Sequence, residues 1–453
     1  LTLDSLFSIL NTVYNYHNML QYVIGIDVGG TNIKAGAVDY QGNILASLHT
    51  PTEAGSGLEA ILAKLHGIVQ KLESDVKDKT LVAVGFGIPG AIHSIDGVVT
   101  QAPNFPALNG MPIRKLLSER IQKPCFIEND ANAIALGEMW VGAGRGFSHI
   151  LCLILGTGVG GGVIIDGVLL RGADGMAGEL GHVAVDMNGA RCNCGSTGCL
   201  ETLSSATGIL RIYREQVAQH PESPLHSLTE ITPALIYAEA VKGDTFARSL
   251  FEQAGYGLGV GMASFVNIFN PEVLIIGGGI ASAWEFLVPV AIDTMKKRAF
   301  KAPSERVKIV SAEKDDDAGI YGCAYLAWDE LKQADVLRTA RERRIAPWGF
   351  WEVLEESNEY KVKRIYVHPG HRLSYQKHQN REETWMIVTG TAEITLDDKD
   401  LTLGAGQTIH INKTQAHRIG NSGTGPLVFI ETQLGTYFGE DDIVRLTDDY
   451  KRN

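Results

Sequence analysis

Three cysteines and a histidine crowd into one short stretch, His182, Cys192, Cys194 and Cys199, in the string GHVAVDMNGARCNCGSTGCLE. Thiolate and imidazole in that number form the ligand set of a closed tetrahedral zinc site, and the glycines between them let a short loop fold back around the ion. A chain carrying this run must fold so that the loop is braced on both sides. Glu179 precedes the histidine by one helical turn and Glu201 follows the last cysteine, so a bound Zn²⁺ would also aim two carboxylates at a pocket.

The rest of the chain shows what the loop is set into. With 453 residues, two or three domains are expected. The remaining cysteines, Cys125, Cys152 and Cys323, are scattered in apolar contexts and make no disulfide framework, which fits a reducing cytoplasm. A formal charge of −12 opposes non-specific binding to nucleic acid or anionic lipid, and no segment reads as membrane-spanning. Met19 stands just before the first convincing strand, so residues 1–20 read as an N-terminal extension with no assigned function.

Strand, glycine turn and strand occur twice, in YVIGIDVGGTNIKAGAVD from Tyr22 and in ILCLILGTGVGGGVIIDG from Ile150, which implies a duplicated α/β architecture. Helical periodicity at Gly57–Leu72, Ala206–Val217, Thr232–Val241 and Thr245–Ile268 alternates with buried strands, and a helix from Gly319 to Gln333 closes this unit at residues 21–333. After a charged linker at 334–345, short alternating strands take over. Residues 346–453 read as an all-β jelly roll.

Side-chain-poor turns allow backbone N–H groups to approach phosphate oxygens. Three such turns are present: Gly29, Gly30 and Thr31 with Asp27 before and Lys34 after; Gly156, Thr157 and Gly158; and Gly277, Gly278 and Gly279. They suggest a nucleotide site, with Asp27 placed to help hold Mg²⁺. Asp130, in IENDANAIALGE, sits at a helix start and reads as the N-cap. A carboxylate there can also take the proton of an attacking sugar hydroxyl. In the second unit, Gln376 and His378 share one strand face, and with Glu383 and His417 they form a set able to bind a divalent metal.

With DVGGT, END at Glu128–Asp130, GELGH at Gly178–His182 and CxCGxxGCxE at Cys192–Glu201, residues 21–333 resemble the ROK family of sugar kinases, which have the two-lobed ASKHA (actin and hexokinase-like) fold. The resemblance implies ATP-dependent phosphorylation of a hexose or N-acetylhexosamine, with Asp130 as base and Asn104, Asn129, Glu179, His182 and Glu201 against the sugar. It also implies a homodimer. Some members of that family are repressors with an N-terminal winged helix. The roughly twenty residues before the first strand are too few for such a domain, so an enzyme is expected.

Residues 346–453 resemble the C-terminal cupin of type II mannose-6-phosphate isomerases, through PWGFWEVLEE, YKVKRIYVHPG, VTGTAEITL and YFGEDDIVRLTDDY. The implied reaction interconverts mannose 6-phosphate and fructose 6-phosphate at a metal, with Arg445 and Arg452 holding phosphate or the enediolate. Where the family reads QMHHHRAEHW this chain has QKHQNREETW, so Gln379, Asn380 and Thr384 replace histidines. The expectation is a kinase of a hexose, mannose favoured, fused to an isomerase of its product. A glucose, fructose or N-acetylhexosamine kinase with a non-catalytic cupin, or a sugar sensor, are the alternatives.

Overall fold

The computed structural model describes residues 20–102, 105–314, 317–341, 344–357 and 359–450. They group into two compact units that divide between Glu330 and Leu331.

The first unit contains two sheets of the same design. One holds β1 (Gln21–Val28), β2 (Asn32–Asp39), β3 (Ile44–Pro51), β4 (Thr80–Ile88) and, after the small hairpin β5 (Ala91–His93) and β6 (Val98–Gln101), β7 (Cys125–Asn129). The other holds β8 (Ile150–Leu155), β9 (Val159–Ile165), β10 (Val168–Leu169), β11 (Val273–Gly277) and β12 (Lys308–Ser311). The strand orders are β3-β2-β1-β4-β7 and β10-β9-β8-β11-β12. In each, the first three strands form an antiparallel meander and the last two join parallel. The duplication expected from the two glycine-turn hairpins is therefore a duplication of whole sheets.

Helices α1 (Leu58–Asp75), α2 (Ile113–Ile121), α3 (Asp130–Val141), α4 (Ala206–Gln216), α5 (Pro233–Lys242), α6 (Thr245–Phe269), α7 (Trp284–Arg298) and α8 (Ala318–Arg341) surround the sheets. On α1 the residues Ile61, Leu62, Leu65, Ile68, Val69 and Leu72 make one apolar stripe, and it is this stripe that is buried. Helix α8 continues past the expected end at Gln333, through most of the span read as linker. Among the described residues no helix is long and apolar enough to cross a membrane.

Glycines bring α3, α8 and the first sheet together at backbone distance. A Cβ on Gly25 or Gly85 would strike the main chain of α8 at Ile320 or Cys323, and one on Gly137 or Gly322 would strike the other helix at Ala318 or Ala133. A methyl group at any of these would force main chain apart.

The second unit is a sandwich of a six-stranded and a five-stranded antiparallel sheet among the described residues. Ile365, Val367, Trp385, Ile387, Ile394, Ile419 and Phe429 fill the space between them. This is the expected cupin jelly roll.

Candidate active site and metal centres

Two carboxylates stand close together at the heart of the first unit. Asp27, near the end of β1, pairs in register with Lys34 on β2. Asp130 is the first residue of α3. Burial, with the nearby charge of Asp130, pushes the Asp27 carboxyl up to about 7 against the pull of Lys34. Asp130 is also raised by its burial, although the Ala131 N–H donates to it at 2.9 Å. Both want a cation or a proton donor to complete them.

The helix cap corrects the sequence reading. Asn129, not Asp130, is the N-cap: its Oδ1 accepts from Ala131 N at 2.9 Å and Asn132 N at 3.1 Å, while its Nδ2 donates to Gly90 O at 3.0 Å. With the amide as the cap, Asp130 is not needed to close the helix end. Behind it, the fully buried Glu128 accepts from Asn129 N and Asn132 Nδ2 and pairs with Arg171 at 2.8 Å.

Two spaces open on this pair. A recess of about 380 Å³, open to solvent, is lined by Gly90, Asn129, Asp130, Gly160, Gly161, Met176 and Glu179. A wider cleft of about 1130 Å³ is lined by Asp27, Lys34, Gly277, Gly278, Gly279, Ser282, Ser311 and Gly319. Gly279 faces open space, and Gly319 lies flat against the Asp27 carboxyl. Of the three glycine turns, only the third lines the cleft. Gly29, Gly30 and Thr31 form the β1–β2 turn, and Gly156, Thr157 and Gly158 the β8–β9 turn, where Thr207 Oγ1 donates to Thr157 O. Asn104 and Arg452 lie outside the described residues.

The loop expected to bind zinc is assembled as a cluster. One ligand atom from each of His182, Cys192, Cys194 and Cys199 lies within 4.8 Å of the others. The His182 Nδ1–Cys192 Sγ and Cys194 Sγ–Cys199 Sγ separations are 3.6 and 3.7 Å. The edge of a zinc tetrahedron with bonds near 2.3 Å is about 3.8 Å, so the donor set fits the ion. His182 turns its other nitrogen, Nε2, toward Glu179 at 4.0 Å. Glu201 accepts from Val159 N at 3.0 Å and from Cys192 Sγ at 3.5 Å, tying the cluster to β9. Glu179 is the carboxylate the cluster presents to the recess; Glu201 braces the loop.

In the second unit, His378, Glu383 and His417 form a buried triad. His378 Nε2 is 3.0 Å from Glu383 Oε1, and His417 Nε2 is 3.7 Å from Glu383 Oε2. His417 Nδ1 is fixed on Gln415 O and its Nε2 is buried without a hydrogen-bond partner among the described residues, so that nitrogen suits a metal ligand. Burial alone would raise Glu383, yet the hydrogen bond and charge of His378, with His417 and Arg381, hold it well below the usual carboxylate range. Gln376 stands opposite His417 in the sheet, its amide nitrogen 3.5 Å from His378 Nε2. The adjoining cavity, about 510 Å³, is lined by Gln376, Glu383 and Arg445, and also by Lys363, Arg381, Glu431 and Gln433. The three replaced histidines lie away from it. Gln379 and Asn380 are exposed at a turn pinned by Asp442, and Thr384 points to the opposite face, against His410.

Comparison with known proteins identifies the family of the first unit. A sequence model of the ROK family matches residues 23–330. The chain belongs to the ROK family. The model of the mannose-6-phosphate isomerase C-terminal domain matches residues 333–448. A glucokinase of Thermotoga maritima is 39% identical over 313 residues, 68% of this chain and 98% of that protein. A xylose repressor of Caldicellulosiruptor bescii is 33% identical, covering 68% of this chain and 78% of its own length. Among solved structures, a ROK family glucokinase from Streptomyces griseus, in complex with glucose and AMPPNP, superposes with a TM-score of 0.60 at 32% identity, over 68% of this chain and 99% of that one. The ASKHA-like fold of the first unit and the sugar kinase class stand on these matches.

Sequence reasoning missed Gly90, Ser282, Ser311 and Gly319 in the kinase unit, and Lys363, Glu431 and Gln433 in the cupin. None sits in a motif with a pattern of its own. Only folding brings them to the cavities.

Proposed function

We propose that this ROK protein transfers the γ-phosphoryl group of ATP to the 6-hydroxyl of a hexose, mannose favoured, and that its cupin interconverts mannose 6-phosphate and fructose 6-phosphate. The observation that carries the kinase half is the buried pair Asp27 and Asp130, of which Asp130 lines the recess and Asp27 the glycine-lined cleft. Asp130 takes the proton of the sugar O6 as that oxygen bonds to the γ-phosphorus and the bond to the β–γ bridging oxygen breaks, releasing ADP. General-base help of this kind is worth roughly 10²–10⁴-fold. Asp27 and Lys34 face the phosphates from the cleft. Mg²⁺ beside Asp27 would offset the charge that gathers on the transferred group. Asn129 and Glu179 face the sugar, and Zn²⁺ on His182, Cys192, Cys194 and Cys199 would set the angle of the His182 ring and the loop carrying Glu179.

The choice of mannose rests on the fused domain, because a mannose 6-phosphate isomerase is useful beside a supply of its substrate. Within the cupin, His378, Glu383, His417 and Gln376 would hold a divalent ion, which supplies Lewis acidity at the sugar carbonyl. Lys363, Arg381 and Arg445 line the cavity for the phosphate, and a proton passes between C2 and C1. A cytoplasmic homodimer is the assembly we infer. The relatives of known role include a repressor; an intact Asp130 favours the enzyme.

Incubation with an equimolar mixture of mannose and glucose and MgATP, followed by ³¹P NMR, tests both halves. Mannose 6-phosphate followed by fructose 6-phosphate is expected, and Asp130→Asn should abolish both while still binding the sugar. Glucose 6-phosphate formed in strong preference to mannose 6-phosphate would overturn the choice of sugar. Mannose 6-phosphate that accumulates unconverted would overturn the isomerase.

A further inference from the structure

A second polar cavity, about 690 Å³ and open to solvent, lies in the first unit and shares no lining residue with the recess or the cleft. Its floor is apolar, from Phe126, Ile127 and Leu326, and its polar walls are Arg114, Arg171 and Glu330. Three observations fix what these groups can do. Arg114 rests one edge of its guanidinium on the carbonyls of Ser94 and Ile95, at 3.4 and 2.8 Å. Arg171 spends only Nε, on the buried Glu128, so both of its terminal nitrogens are without a partner among the described residues. Glu330 stands within the field of both guanidinium groups without forming an ion pair with either among the described residues. Two planar cations with spare N–H donors suit a phosphate, which accepts in pairs. A lone carboxylate beside them would repel bare phosphate, yet it suits a hydroxyl donor a few ångströms along the same molecule.

We propose that this cavity is a second, non-catalytic binding site for a polyol phosphate, with the phosphate on Arg114 and Arg171 and a hydroxyl on Glu330. Occupancy reaches the chemistry through one connected set of contacts. The ligand draws the terminal nitrogens of Arg171 toward itself, and the Nε of the same guanidinium holds Glu128, which in turn holds the Asn129 N–H and the Asn132 amide at the root of α3. Loosening that set displaces Asp130, so the ligand lowers turnover without competing with sugar or ATP. The inference stands apart from what the cupin does.

The test uses the full chain with glucitol 6-phosphate, which has no carbonyl to isomerise, and with inorganic phosphate. Calorimetric titration is run with glucose and a non-hydrolysable ATP analogue saturating the kinase site. Glucitol 6-phosphate should occupy a site that Arg114→Gln weakens at least tenfold and that Arg445→Gln, in the cupin, leaves intact. Inorganic phosphate should bind it at least tenfold more weakly, and Glu330→Gln should narrow that gap. In kinase assays at saturating sugar and MgATP, the same compound should lower kcat for the unsubstituted protein and for Arg445→Gln, but not for Arg114→Gln. Equal titrations for the unsubstituted protein and Arg114→Gln overturn the site, and Arg114→Lys, which keeps the charge, guards against a folding defect. Equal affinity for the two ligands overturns the hydroxyl contact with Glu330.

Discussion

Replacing Asp27 by asparagine should stabilise the chain at high pH while silencing it. The carboxyl is held up to about 7 against an ordinary 3.8, first by burial and then by Asp130. A folded state that binds a proton more tightly than the unfolded chain has its full stability below the unfolded value and loses it as pH rises through the folded one. At 1.36 kcal/mol per unit, ionising this group withdraws roughly 2–3 kcal/mol between pH 5 and pH 8. Asparagine has the shape of the protonated acid and cannot ionise, so the stability of Asp27→Asn minus that of the unsubstituted chain should grow by roughly 2–3 kcal/mol over the same interval. Urea denaturation without Mg²⁺, followed by helical circular dichroism, isolates the effect, because the cupin unit is all-β. Adding MgATP should flatten the profile of the unsubstituted chain and leave the variant unmoved. Kinase turnover of the variant should drop by at least roughly 100-fold. Parallel pH profiles of the two proteins would refute the account of a carboxylate strained by burial and by its neighbour.

Cys194→Ser should lower the zinc content measured by atomic absorption and raise KM for the sugar more than KM for ATP, since the cluster orients Glu179 and not the nucleotide cleft. Arg171→Met strands the buried Glu128 and should destabilise the first unit by about 3–5 kcal/mol in the same denaturation assay. In the cupin, restoring histidine at Gln379 and Asn380 should leave the bound-metal stoichiometry unchanged, because those side chains face Asp442 and solvent. Glu383→Gln should abolish metal binding, since it removes the anion that joins both histidines.

The strongest sequence signals were local ones. A four-ligand loop, glycine turns between apolar strands and a helix opening on END carry their geometry within a dozen or so residues, and the structure assembles them as such. What failed to show was long-range. Arg171, half-buried, and Glu128, fully buried, are partners far apart in sequence, and nothing in either neighbourhood marks the pairing. The cap was misread because Asn129 and Asp130 both suit that position, and the choice depends on where β7 ends. Helix α8 overran its expected end because the charged run after Gln333 holds no glycine or proline to stop it. The replaced histidines of the cupin looked damaging in sequence. Strand alternation and the turn after His378 put them outside the cavity.

The glycine seam between α3, α8 and the first sheet governs how this unit can change over generations. Asp130 opens α3, and Gly319, near the start of α8, abuts Asp27. Where main chain rests on main chain, the gap between the two acids is not spaced by any exchangeable side chain. Leucines and valines elsewhere in the core can drift, each swap absorbed locally, without retuning that gap. A single added methyl at Gly25, Gly85, Gly137 or Gly322 would meet main-chain atoms within 2.1 Å, so the seam leaves substitution little room.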